Sequence, residues 1–332
     1  MNPNHIFLAL LLAASGASGA ATEAALPVGD EVTSRVPGIR FATQPDRLRV
    51  EANGQLLTEY YYTNVPRPFC YPLIGPGGVE MTRNYPMKKV EGEQTDHPHH
   101  RSFWFTHGAV NGVDFWTESE DAGKIIHRGF TELTPGSKSG SFKTRNDWVT
   151  RDGKLVCTDE RTMTFYPPGT NDERVIDCEI TMHAGADGLV FGDTKEGSFA
   201  IRVAETMPSK KGRGDMLNSE GDRGAKAWGK RARWCDYWGP VGDSIVGMAI
   251  FDHPGNPNYP TWWHARDYGL FAANPFGKHD FENLKDKTAG DVKVAANGSI
   301  TFRYRVLLHR GTAMDANIAA KYSDYTFAPK SK

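Results

Sequence analysis

Cysteine is scarce: four in 332 residues, and no two stand in a C-x-x-C spacing. That excludes a zinc ribbon. Cys157 and Cys178 fall on two adjacent strand-like runs, so they either form a cross-strand disulfide or remain free buried thiols, as Cys70 and Cys235 do. Blocks of one charge are missing too. The formal net charge is −1, which argues against nucleic acid or another polyanion as partner. No GxSxG elbow, P-loop, GxGxxG turn, HExxH or EF-hand loop is present. Dinucleotide-dependent hydride transfer, nucleotide hydrolysis and zincin chemistry are therefore not expected.

Long apolar runs are confined to the start. "IFLALLLAASGASGA" (residues 6–20) is too short to span a bilayer, which needs about 20 apolar residues. It ends in small residues, with Ser18 and Ala20 in a small-x-small pattern. We read residues 1–20 as an export signal, although "MNPNH" before it lacks Lys and Arg; a buried N-terminal helix is the alternative. The expected location is periplasmic or extracellular, with no membrane span. Residues 21–332 are long enough for one large domain.

Helical periodicity is scarce; "AMDANIAAKYSDY" near the end is the best candidate. Glycine (35) and proline (20) are frequent, as in turn-rich β proteins. "RLRVEANGQLLTEYYY" alternates around Asn53-Gly54, a hairpin signal. "KLVCTDERTMTFYPPGTNDERVIDCEITMHA" is two strands about the turn cluster 167–172. "SIVGMAIFDHP" and "GSITFRYRVLLHRG" are further strands; in the second, Ile300, Phe302, Tyr304 and Val306 share one face and Thr301, Arg303 and Arg305 the other. Residues 208–230 are polar, glycine-rich and long for a loop, which marks them as functional or mobile. The expected architecture is all-β: a large, many-stranded β-sandwich in a single domain, with long loops and little helix.

What chemistry remains is carried by histidine, carboxylate and arginine. "EQTDHPHHRSFWFTHG" (93–108) packs four of the eleven histidines beside two acids and three large aromatics. In extended chain His97 and His99 share a face and His100 takes the other, with Pro98 marking an edge, bulge or loop. Asp96 or Glu93 could orient an imidazole through its second nitrogen. Alternation sends Phe103 and Phe105 to the core and Trp104 away from it; tryptophans beside polar groups also suit the apolar faces of sugar rings. In "GDTKEGSFAIRVAETM", Arg202 points away from the apolar face of Phe199, Ile201 and Val203. "FDHPGNPNYPTWWHARDYGLFAANPFGKHDF" adds His253, His264 and Arg266 on an irregular loop; Asp252-His253-Pro254 repeats Asp96-His97-Pro98, by chance or as two strand exits lining one mouth.

Three functional readings follow. The first is a carbohydrate-active enzyme (epimerase, lyase or hydrolase) with His99 or His100 as general acid or base, Glu196 or Glu205 as the complementary base, and Arg101, Trp104, His107, Arg202, His253, His264 and Arg266 on the substrate. No cofactor is firmly implied. The second is a metalloenzyme holding copper, zinc or iron through His97, His99 and His253 or His264. The third is a non-catalytic glycan-binding envelope protein.

"PLIGPGGVEMTRNYPM", "DHPHHRSFWFTHGAVNGVDFW", "KEGSFAIRVAE", "WGKRARWCDYWG" and "FDHPGNPNYPTWWHARDYGLFAANPFG" together resemble the exported bacterial proteins labelled "PmoA family". The resemblance covers most of the chain after residue 55. The true PmoA subunit of particulate methane monooxygenase spans the membrane with several helices. This chain has no such run after its leader, so methane oxidation is not expected. "PFCYPLIGPGG" followed by a histidine-rich strand is similar in layout to the aldose-epimerase (galactose mutarotase) group. That likeness implies a β-supersandwich with a histidine acid and a glutamate base in an open sugar site. No single position here aligns with the epimerase glutamate.

Overall fold

Asn53 and Gly54 both take positive φ (53° and 77°), the geometry of the tight turn that suits the twist of a hairpin. They join the second and third of the eighteen strands among the described residues. In chain order these are β1 (Ile39–Thr43), β2 (Arg47–Ala52), β3 (Gln55–Tyr61), β4 (Phe69–Cys70), β5 (Phe103–His107), β6 (Lys124–Thr134), β7 (Gly140–Val149), β8 (Leu155–Tyr166), β9 (Arg174–Ala184), β10 (Leu189–Phe191), β11 (Gly197–Arg202), β12 (Asp215–Asn218), β13 (Trp234–Val241), β14 (Ser244–Asp252), β15 (Trp262–Trp263), β16 (Leu270–Asn274), β17 (Val292–Val294) and β18 (Ser299–Arg310). Two short α-helices, α1 (Lys278–Glu282) and α2 (Ile318–Phe327), and three single 3-10 turns complete the inventory among the described residues. The computed structural model describes residues 37–169, 171–211 and 213–327. The leader expected at residues 1–20 lies outside the described residues.

Sixteen of the strands form two antiparallel sheets of eight. The first runs β1-β2-β3-β4-β5-β11-β16-β15 and the second β12-β13-β14-β18-β9-β8-β7-β6; β10 and β17 pair separately. The all-β reading holds, as do the strands expected around Pro167–Asp172 and at 244–254 and 298–311. The alternation in β18 is realised in both directions. Phe302, Tyr304 and Val306 are buried. On the other face, Thr301, Arg303 and Arg305 stand opposite Thr181, Glu179 and Asp177. Each of those three cross-strand pairs is hydrogen-bonded.

The main core takes side chains from both sheets. Phe199 of β11 stacks on Tyr304 of β18 at 4.3 Å, and Phe105 of β5 meets Phe302 at 5.8 Å. Burying an aromatic ring of this size contributes about 1.5–3 kcal/mol, so these contacts are what hold one sheet on the other. A second cluster lies on the outer face of the second sheet, where Trp234, Trp238, Phe251 and Leu307 pack under Ile318 and Tyr322 of α2. The third lies on the outer face of the first sheet and frames the site described below.

Two expectations change. Residues 208–230 are not one long loop: they contain β12, an edge strand that pairs with β13. Cys157 and Cys178 do lie on adjacent strands, but the register sets them opposite Ala184 and Met163. All four cysteines are free and buried. No helix among the described residues is long and apolar enough to cross a membrane.

Candidate functional site

The outer face of the first sheet carries one cross-strand row. Trp104 pairs with Phe69 on one side and Ala200 on the other; Ala200 pairs with Ala272. Ala272 exchanges both backbone hydrogen bonds with His264, at 2.9 and 3.2 Å. An indole and an imidazole thus stand at the two ends of a pair of methyl groups. Trp116 bridges them, with ring centroids 5.4 Å from Trp104 and 6.3 Å from His264. Trp104, Trp116 and His264 are all buried.

The histidine-rich segment folds onto this floor. It is not extended. His97 takes φ +45°, and the His100 N–H donates back to the His97 carbonyl at 3.0 Å. A turn at Pro98 results, and it brings all three rings together instead of dividing them between two faces. His97 stacks on His100 (4.7 Å, 9° between planes), and His100 stacks on Trp104 (5.5 Å). Tyr268 lies nearly parallel to both rings, 5.2 Å from His97 and 6.4 Å from His100. His99 meets His100 edge-on at 4.5 Å.

Asp96 locks the turn. Its Oδ1 accepts from Arg83 Nη1 and, at 3.2 Å, from Arg202 Nη2; its Oδ2 lies 2.7 Å from His97 Nδ1. Arg83 also donates to the Asp96 and His97 carbonyls, at 2.9 and 3.0 Å. Both arginines are fully buried (0% and 1% exposed). Partial burial pushes the Asp96 carboxyl up, but Arg202, the His97 hydrogen bond and Arg83 outweigh it and hold it below the usual carboxylate range. Burial and the neighbouring Arg83 lower Arg202 to about 10, which leaves it charged at neutral pH.

These contacts fix two tautomers. An ionised carboxylate only accepts, so His97 Nδ1 carries a proton, and in the neutral ring Nε2 is the lone pair. A guanidinium only donates, and Arg202 Nη1 lies 3.1 Å from His100 Nδ1. His100 Nδ1 therefore accepts and its Nε2 carries the proton. Burial first, then His99 and Arg202, pushes His100 well below the usual imidazole range, so the ring is neutral. Two parallel imidazoles thus present one acceptor and one donor. His99 is lowered to about 4 by burial, Arg67 and His97. His264 is lowered to about 3 by burial, Arg266 and Lys195.

The expected site residues divide clearly. His97, His99, His100, Trp104, Arg202, His264 and Arg266 come together on this face. Glu196 stands at its rim, 3.5 Å from Lys195 and close enough to Tyr268 to oppose its ionisation. Arg101 is near, but its fork is taken by Glu118 at 2.6 Å on both arms, so it braces the wall instead of presenting free donors. Glu205 is engaged by Lys211. His107 is not in the site: it shares the core face with Phe103 and Phe105, bonds the Gly192 carbonyl at 2.8 Å and packs on Phe276. His253 follows β14 of the other sheet and faces Tyr325 of α2, so the grouping of His97 and His99 with His253 is not formed. The described residues contain no group of three or more His, Cys, Asp or Glu side chains placed to hold a metal ion. The repeated Asp-His-Pro tripeptides do not line one mouth. Asp252 is buried and binds Asn256 and the Thr261 N–H, which shapes its own loop.

Arg83, Tyr268, Trp228 and Glu118 were not legible as site residues. Arg83 stands in "TRNYP", next to no ionisable cluster, and Tyr268 follows His264 and Arg266 far along the chain; only the folded chain brings the two to Asp96 and His97. A separate groove of about 480 Å³, lined by Asn111, Lys154, Leu155 and His183 among others, lies elsewhere and gathers no comparable chemistry.

An antiparallel two-sheet sandwich with an imidazole–arginine site on one outer face is the class that fold and site define. The chain belongs to the DUF6807 family, a family of unknown function, whose model matches residues 47–323. That match carries no support for the PmoA label. A search of curated proteins finds no match. Among solved structures, the chain is similar to an α-galactosidase from Lactobacillus brevis (9% identity, TM-score 0.40) over 83% of its own length and 39% of the enzyme's. It is similar to a galactose mutarotase-like protein from Lactobacillus casei (9%, TM-score 0.33; 82% and 100% of the two chains). It is also similar to a galactose mutarotase related enzyme from Lactobacillus acidophilus (9%, TM-score 0.27; 82% and 98%).

Proposed function

We propose that the protein is an enzyme that moves a proton on a sugar or glycoside, as an epimerase, lyase or hydrolase would. The observation that carries this reading is the stacked imidazole pair, with Asp96 on His97 Nδ1 and Arg202 on His100 Nδ1. His97 Nε2 is the proton acceptor, and Asp96 stabilises the imidazolium that forms. The His100 Nε2–H, backed by Arg202, donates to the oxygen on which negative charge develops. Glu196 at the rim is the complementary acid–base group; Glu205, bound to Lys211, is less free to act. An exported location, supported by the leader-like residues 6–20, goes with this reading; N-terminal sequencing of the mature protein tests it.

The test is incubation of the purified protein with a panel of glycosides and keto-sugars, read by mass spectrometry. In His97→Asn the rate of any conversion found falls by about 10²–10⁴, the range for losing a positioned acid or base. Melting within a few degrees of wild type confirms an intact fold. Undiminished turnover in both His97→Asn and His100→Ala overturns the assignment.

A further inference from the structure

Four arginines of the site already own a carboxylate. Arg83 and Arg202 share Asp96, and Arg67 and Arg101 share Glu118. Arg266 has none among the described residues. Its guanidinium lies over the Trp228 ring (5.6 Å) and the Tyr268 ring (5.7 Å), and its Nε is buried without a hydrogen-bond partner. Its hydrogen bond is to the Tyr268 side chain. Two aromatic faces thus hold a charged, planar fork that lacks its counterpart.

Three of the neighbouring orphan groups have the same sense, while His264 Nδ1, also buried and unpartnered, accepts or donates according to its tautomer. The indole N–H groups of Trp104, Trp116 and Trp228 are buried and unpartnered. An indole nitrogen can only donate, and leaving such donors unpaired in a buried site is costly. The carboxylates at hand are spoken for: Glu196 faces Lys195 and Glu205 is held by Lys211. A hydroxyl both donates and accepts, whereas a carboxylate only accepts and fits a guanidinium fork in two parallel bonds.

Building on the reading of this face as a sugar site, we propose that its substrates are acidic sugars, a uronic or aldonic acid whose carboxylate is held by Arg266. Calorimetric titration of the full chain with matched pairs tests it: galactose against galacturonate, glucose against glucuronate and gluconate, with acetate and citrate as acids that are not sugars. The acid binds about tenfold or more tightly than its neutral parent, the factor expected of one charge-assisted pair. Arg266→Gln removes that preference, and Arg266→Lys keeps part of it. If Arg266→Gln fails to fold, the wild-type pairs still decide. Equal binding of neutral and acidic sugars overturns the acidic-sugar proposal and leaves the sugar reading standing. Acetate or citrate binding as well as the uronates overturns the sugar reading while keeping an anion site at Arg266. No binding of any of these ligands overturns both.

Discussion

Replacing Asp96 by alanine removes the one carboxylate that Arg83 and Arg202 share. Both guanidiniums lie at 0–1% exposure, so neither can turn to bulk water. Stripping one partner from a buried ion pair costs about 3–5 kcal/mol. The Asp96 side chain is 37% exposed, so water can enter the gap it leaves and screen the two cations. The lower end, about 3 kcal/mol, is the expected loss. For a domain of this size that lowers Tm by roughly 5 °C. The assay is guanidinium denaturation of wild type, Asp96→Ala, Arg202→Met and the double variant at pH 7. Because the arginine is the group left stranded, the double variant is more stable than Asp96→Ala alone. A loss under about 1 kcal/mol for Asp96→Ala refutes the reasoning; so does strict additivity in the double variant. The same carboxylate is ionised well into acid. Its folded-state affinity for protons is depressed, so its contribution is present above the unfolded value and is lost as pH falls through the folded one.

Two more outcomes follow from buried histidines. His107 is pushed down to about 4 and His264 to about 3, each by burial first, against about 6.5 in the unfolded chain. Below pH 6.5 the unfolded chain binds protons that the folded chain refuses, so stability falls with pH, by roughly 3 kcal/mol from His107 alone by pH 4. The buried Asp236–His309 pair raises His309 and works in the opposite direction, adding stability that is lost as pH rises. Urea midpoints that stay flat from pH 7 to pH 5 contradict the net slope. Gly247→Ala places a Cβ 2.3 Å from His309 Cε1, and His309 is held by Asp236 at 3.0 Å. The expected cost is about 1–3 kcal/mol, and a variant as stable as wild type shows that the ring has room to move.

The strands were legible because period two is a local property. Asn53-Gly54, the faces of β18 and the split between Phe103, Phe105 and Trp104 all came from counting along the chain. The same count places His107 with Phe103 and Phe105; its histidine identity drew it into the site, and its alternation was the better guide. Arg202 was set on the correct face for the same local reason. The turn at Pro98 was not legible. It depends on a left-handed backbone at His97 that Arg83, Arg202 and Tyr268 hold in place, and those residues come from distant parts of the chain. The expected sharing of a metal by His97, His99 and His253 failed on topology: His97 and His99 lie in the connection that leads into β5 of the first sheet, whereas His253 follows β14 of the second.

Asp96 also constrains inheritance. Its two oxygens answer to three side chains from three separate stretches: Arg83, His97 and Arg202. A lineage that loses the acid inherits two stranded cations and an imidazole free to flip. A lineage that loses one arginine keeps an acid still matched by the other. Divergence at this spot therefore has a preferred order: an arginine changes first and the aspartate last. Relatives that keep both arginines without an acid at the position of Asp96 are not expected.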